Sequence, residues 1–151
     1  MLFPTHGPVD ILLVEDSPTD ALITREALTQ ARVLNRLHHV EDGYEAMDFL
    51  HRRGAFADAP RPGLILLDLN LPKKSGIEVL AEIKADRSLQ TIPVVVLTTS
   101  RAQAEVDAAY RQHANCFITK PVEFEDMARC ICALENFWFS IVTLPPPAAG
   151  Q

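Results

Sequence analysis

The chain has 151 residues, enough for one ordinary domain and too few for two full hydrophobic cores. Its 14 basic and 20 acidic side chains leave a formal charge of −6, which supplies none of the basic field that attracts nucleic acid or anionic membranes. At 48% hydrophobic and 23% charged it reads as a folded globular chain, and runs such as Leu64–Leu67 and Val94–Leu97 are far too short to cross a bilayer. The N-terminus lacks the basic and apolar pattern of a secretion signal, and the three cysteines show no zinc spacing; a reduced, cytoplasmic protein is expected.

Residues 1–8, with two prolines and a glycine, read as a flexible leader before a domain over residues 9–140. The run from Val9 to Val14 is short, apolar and β-branched, as a strand buried on both faces would be. Ser17 followed by Pro18 predicts a helix start, a capping hydroxyl and then a ring already at helical φ. That helix is expected to run to about Arg32, with Ile23, Ala27 and Ala31 on one face. Arg36–Val40 predicts a second, more polar strand, and Gly43 to about Arg53 a helix with Ala46, Phe49 and Leu50 inward. Gly54–Gly63 reads as a surface loop.

Leu64–Leu67 is a second fully apolar strand, ending at Asp68. Ile77, Leu80 and Ile83 mark a third helix, Val94–Leu97 a strand, and Val106, Ala109, Tyr110 and His113 a fourth helix. Phe117–Thr119 is a short strand stopped by Pro121, and the spacing from Phe124 to Trp138 predicts a fifth amphipathic helix. Five strands alternating with five helices predict an α/β fold: a doubly wound, parallel five-stranded sheet with helices on both faces.

In such a sheet ligands bind beyond the carboxyl ends of the strands. Those ends deliver Glu15 and Asp16, then Asp68, then Thr98 and Thr99, and finally Lys120. Two like charges 4 Å apart repel by roughly 4 kcal/mol at an effective dielectric near 20, so three carboxylates on one rim need a cation. A few protein oxygens on separate rigid strands, with room for water, suit magnesium better than a calcium cage. Such an ion beside a lysine and a hydroxyl is a phosphoryl-handling site, and no glycine-rich phosphate loop is present for a nucleotide. An aspartate can itself accept a phosphoryl group as an acyl phosphate, and Asp68 at the end of the central strand is best placed to do so.

These segments resemble the receiver domain of bacterial two-component response regulators. The resemblance is carried by Ile11-Leu12-Leu13-Val14-Glu15-Asp16-Ser17, Leu66-Leu67-Asp68-Leu69-Asn70-Leu71-Pro72, Val95-Val96-Leu97-Thr98-Thr99-Ser100 and Phe117-Ile118-Thr119-Lys120-Pro121. It implies a flavodoxin-like (βα)5 fold and transfer of a phosphoryl group from a sensor histidine kinase to Asp68. It further implies magnesium held by Asp16 directly, by Glu15 largely through water, by Asp68, and by the backbone carbonyl of Asn70. Thr98 would bind a phosphoryl oxygen and Lys120 pair with the phosphoryl group, its bond to Pro121 being cis in the family. Asn70 and Ser100 would flank the hydrolytic water. The Gly54–Gly63 loop, the Leu-Pro-Lys-Lys after Asp68, the Leu-Thr-Thr-Ser string and the Glu-Asn-Phe-Trp ending are similar to stand-alone regulators of phytochromes, implying a red-light-sensing kinase as partner.

On phosphorylation Thr98 would move toward the new oxygens and Phe117 would fill the vacated space; a static core phenylalanine is the alternative. Phe137-Trp138-Phe139 and the tail over residues 141–151 predict a homodimer through the fourth helix, fifth strand, fifth helix and tail, with folding back onto the same domain as the alternative. Two other functions compete. A phosphorylation-independent interaction module would not need Glu15, Asp16, Asp68, Thr98 and Lys120 together. An aspartyl-phosphate hydrolase similar to haloacid-dehalogenase-like phosphatases would carry an aspartate where this chain has Asn70. The reading is therefore a signalling phosphoacceptor, not an enzyme acting on external substrates.

Overall fold

The computed structural model describes residues 8–30, 34–98, 107, 116–119 and 129. Within them five parallel strands form one sheet: β1 (Val9–Val14), β2 (Asn35–Val40), β3 (Leu64–Leu67), β4 (Val94–Thr98) and β5 (Cys116–Thr119), in the order β2-β1-β3-β4-β5. Three helices connect them: α1 (Pro18–Thr29), α2 (Gly43–His51) and α3 (Gly76–Ala85). Asp107 and Arg129 are helical where the sequence predicts a fourth and a fifth helix; the other residues of those two expectations lie outside the described residues.

Alternation along the central strands divides the core in two. Leu12, Val14, Ile65, Leu67, Val94 and Val96 pack beneath α2 and α3, against Ala46, Phe49, Val79, Leu80 and Ile83. Ile11, Leu13, Leu64, Leu66, Val95 and Leu97 face the other way, with Ala21, Ala27 and Leu28 of α1 over the β1–β3 part. Helices thus cover both faces, and the buried stretches of the inner strands, such as Ile11–Val14 and Leu64–Leu67, read as apolar runs because neither face meets water.

β2 is an edge strand, which explains its polar sequence. Its Arg36 makes two hydrogen bonds to Asp10 of β1, at 3.0 and 3.1 Å, and His38 Nε2 lies 2.9 Å from the same carboxylate. His38 also packs at a tilt against Phe49, with ring centroids 5.3 Å apart, so it serves packing and local pairing.

Each helix begins with a side-chain cap. Ser17 accepts from the Asp20 N–H, Asp42 from the Glu45 N–H and Ser75 from the Glu78 N–H, satisfying donors the first turn leaves unpaired. The helix ends differ from the sequence expectation. α1 stops at Thr29, where Asn35 Nδ2 donates to Leu28 O at 3.0 Å; Ala31 lies outside the described residues. α2 stops at His51 because Arg52 turns left-handed at φ 57°, and the Arg53 N–H returns to Asp48 O. Within the Gly54–Gly63 loop, Gly54–Phe56 forms a 3₁₀ turn that sets Phe56 against Phe49.

Candidate functional site

The strand register brings distant residues to one rim. Val14 of β1 pairs with Val40 of β2 and with Leu67 of β3, so Glu15 and Asp68, each one residue further on, emerge side by side. The ladder extends one step past the strands: the Glu15 N–H donates to Val40 O, and the Asp68 N–H to Val14 O, both at 3.0 Å. Leu67 pairs with Val96, which places Thr98 at the same end of the sheet, and Thr98 pairs with Thr119 of β5. Phe117 lies in β5; Lys120 follows Thr119 but, with Pro121 and Ser100, lies outside the described residues.

Glu15 is buried at 2% exposure, Asp68 at 6%, and Asp16 is open to solvent. One carboxylate oxygen from each lies within 4.8 Å of the other two. Hard oxygen donors in this number leave coordination positions for water or a substrate oxygen, which suits a six-coordinate divalent ion. The Asn70 N–H donates to Asp68 Oδ1 at 2.9 Å and fixes the rotation of that carboxylate. The Ser17 N–H, at the start of α1, donates to Glu15 Oε2 at 3.3 Å.

The sequence reading missed the supports of the Asp68 loop. Gly76 opens α3 directly against that loop: a Cβ there would overlap Asp68 O and stand 2.5 Å from Leu69 Cα. Gly43 does the same from α2, where a Cβ would meet Lys74 O at 2.5 Å and Val79 Cγ2 at 2.8 Å. Between them Lys73, at a left-handed φ of 66°, reaches back to Asp42 Oδ2 at 3.4 Å. Lys74 pairs with Glu82 of α3 and sits 5.4 Å over the Tyr44 ring of α2. Glycine immediately after a capping Asp or Ser, at Asp42-Gly43 and Ser75-Gly76, was the available signal of close helix approach.

A family model described as the response regulator receiver domain matches residues 11–131, and the chain belongs to that family. It is therefore a receiver domain of two-component signalling. Response regulator Rcp1 of Synechocystis sp. is 49% identical over 141 residues, covering 93% of this chain and 96% of that protein. The crystal structure of the phosphorylated cyanobacterial phytochrome response regulator RcpA matches with a TM-score of 0.89 at 46% identity, covering 93% of this chain and 100% of the other. The Mn(2+)-bound form of Rcp1 matches with a TM-score of 0.87 at 48% identity, covering 92% and 100%. Both the receiver-domain resemblance and the likeness to stand-alone phytochrome-linked regulators are thereby upheld.

The Asp42–Lys73 pair carries a pH dependence. Burial opposes ionisation of Asp42, but the Glu45 N–H and Lys73 outweigh it and hold the carboxyl below the ordinary aspartate value. A carboxyl lowered on folding stabilises the fold above its unfolded pKa, and that stabilisation is lost as pH falls through the folded value. Asp42→Asn keeps a capping side chain and removes the charge. Urea unfolding should show the variant less stable than wild type at neutral pH, with the gap closing below about pH 4. A gap that stays constant with pH would contradict this.

Proposed function

We propose that the chain is a stand-alone response regulator that takes a phosphoryl group from a sensor histidine kinase onto Asp68. The observation that carries this reading is the convergence of Glu15, Asp16 and Asp68 within 4.8 Å beside a carboxylate oriented by its own loop. The donor set fits a divalent ion, with Asp16, Asp68 and the Asn70 carbonyl as direct ligands and Glu15 acting through water; magnesium is the ion we assign. When bound, it would offset the carboxylate repulsion and the charge on the transferring phosphoryl oxygens.

The protein's residues do the rest. An Asp68 carboxylate oxygen forms the new O–P bond in line with the departing imidazole nitrogen of the kinase phosphohistidine. The P–N bond breaks with its electron pair staying on that nitrogen, and the kinase imidazole leaves neutral because its other ring nitrogen carries a proton. Burial of Asp68 and its hydrogen bond from the Asn70 N–H limit the carboxylate to few orientations, so little ordering remains to be done at transfer. Thr98 and Lys120 are assigned to phosphoryl oxygens; the position of Thr98 at the end of β4 supports its part. Movement of Thr98 with repacking of Phe117 would carry the signal to the face formed by the fourth helix, β5 and the fifth helix.

The likeness to regulators named for phytochromes supports a phytochrome-type kinase as the donor, acting in the cytoplasm. No helix among the described residues is long and apolar enough to cross a membrane. We assign residues 9–140 to the receiver domain and give the chain no external substrate and no nucleic-acid partner.

Incubation with acetyl phosphate and magnesium should add the mass of one phosphoryl group to wild type and none to Asp68→Asn. Equal behaviour of the two, with or without a gain, would favour an interaction module instead. With beryllofluoride and magnesium, the Phe117 ring resonances should shift; an unchanged ring would reject its part in the switch.

The adjacent Phe137, Trp138 and Phe139 support a homodimer built on the fourth helix, β5, the fifth helix and residues 141–151. Sedimentation of the full chain should give a dimer and of a chain ending at Glu135 a monomer. An unchanged mass would reject that interface.

A further inference from the structure

We propose that His39 is a positioning residue for the acidic pair: its ring N–H sets the peptide plane between Glu15 and Asp16, and through it the ion site. The proposal rests on the metal-binding reading above and adds a residue from outside the rim's carboxylates.

His39 Nε2 lies 2.7 Å from the backbone carbonyl oxygen of Glu15. A carbonyl can only accept, so Nε2 carries a proton and donates, which excludes the neutral Nδ1–H tautomer. The position of this contact gives it meaning. At the end of β1 the Glu15 N–H still donates to Val40 O of β2. In a parallel ladder the next bond would bring a β2 backbone N–H, two residues past Val40, to Glu15 O. That residue is Asp42, which has already left the sheet to cap α2. The imidazole of His39 donates to that oxygen just where the β1–β2 ladder ends.

The consequence reaches Asp16 through covalent geometry. The Glu15 carbonyl and the Asp16 N–H belong to one planar peptide unit, so holding the oxygen fixes that plane and narrows the directions open to the Asp16 side chain. Asp16 is the exposed member of the acidic group and Glu15 is buried at 2% exposure, so Asp16 has the more freedom to lose. Partners that orient metal ligands commonly affect ion affinity by ten- to a hundredfold.

The test compares wild type, His39→Ala and His39→Gln, each as the full chain, by calorimetric titration with Mn2+ alone. His39→Gln can offer an amide N–H at similar reach. His39→Ala should bind the ion about tenfold more weakly than wild type, and His39→Gln should recover most of the loss. The second readout needs no variant: long-range 1H–15N spectra of wild type without ion should show His39 as the Nε2–H tautomer. Equal Mn2+ affinity for wild type and His39→Ala, no recovery in His39→Gln, or an Nδ1–H tautomer overturns the proposal while leaving the site itself intact. Failure of wild type to bind any ion would overturn the metal-site reading together with it.

Discussion

Three carboxylates brought together against their own repulsion are the constraint on which this molecule turns. Pairing of β1 with β3 puts Glu15 and Asp68 next to each other, and Asp16 completes a group whose oxygens lie within 4.8 Å. Folding free energy from two apolar layers holds this arrangement in place, because Val14 and Leu67, immediately before the acids, are wholly buried. The fold accepts an electrostatic cost at one rim, and a divalent ion is the partner that would relieve it. A site stressed in this way responds to small changes in charge, which is the property a phosphorylation-controlled signal requires.

The rim is braced from several directions. On one side β2 holds the Glu15 backbone through Val40 O and His39. On the other, the loop from Asp68 to Ser75 is gripped between α2 and α3, with Gly43 and Gly76 permitting backbone approaches that any Cβ would block. Asp42 serves twice, capping α2 with one oxygen and pairing with Lys73 through the other. The Asp68 loop is consequently tied to helices that pack on the core.

Much of this was legible in the residues. Buried strand segments announce themselves as apolar runs, Ile11–Val14 in β1 and all of β3, so both strands fell where the sequence placed them, and the acids just past them marked the rim. β2 was blurred, starting one residue earlier than expected, because an edge strand carries polar side chains for its neighbours. The end of α2 depended on Arg52 adopting a left-handed backbone, for which arginine gives no cue. The Asp42–Lys73 pair and the His39 contact join residues far apart along the chain, and only the folded arrangement reveals them. Thr98 is placed by that register at the expected end of β4, whereas Lys120 lies outside the described residues.

The central claim, that these acids form one ion site around the phosphoacceptor, is tested most directly by crystals grown with Mn2+ and measured for anomalous scattering. The account predicts a single strong peak bonded to Asp16 and Asp68, with the Asn70 carbonyl oxygen as a further ligand. A rim without a peak, or an ion bound away from Asp68, would contradict it.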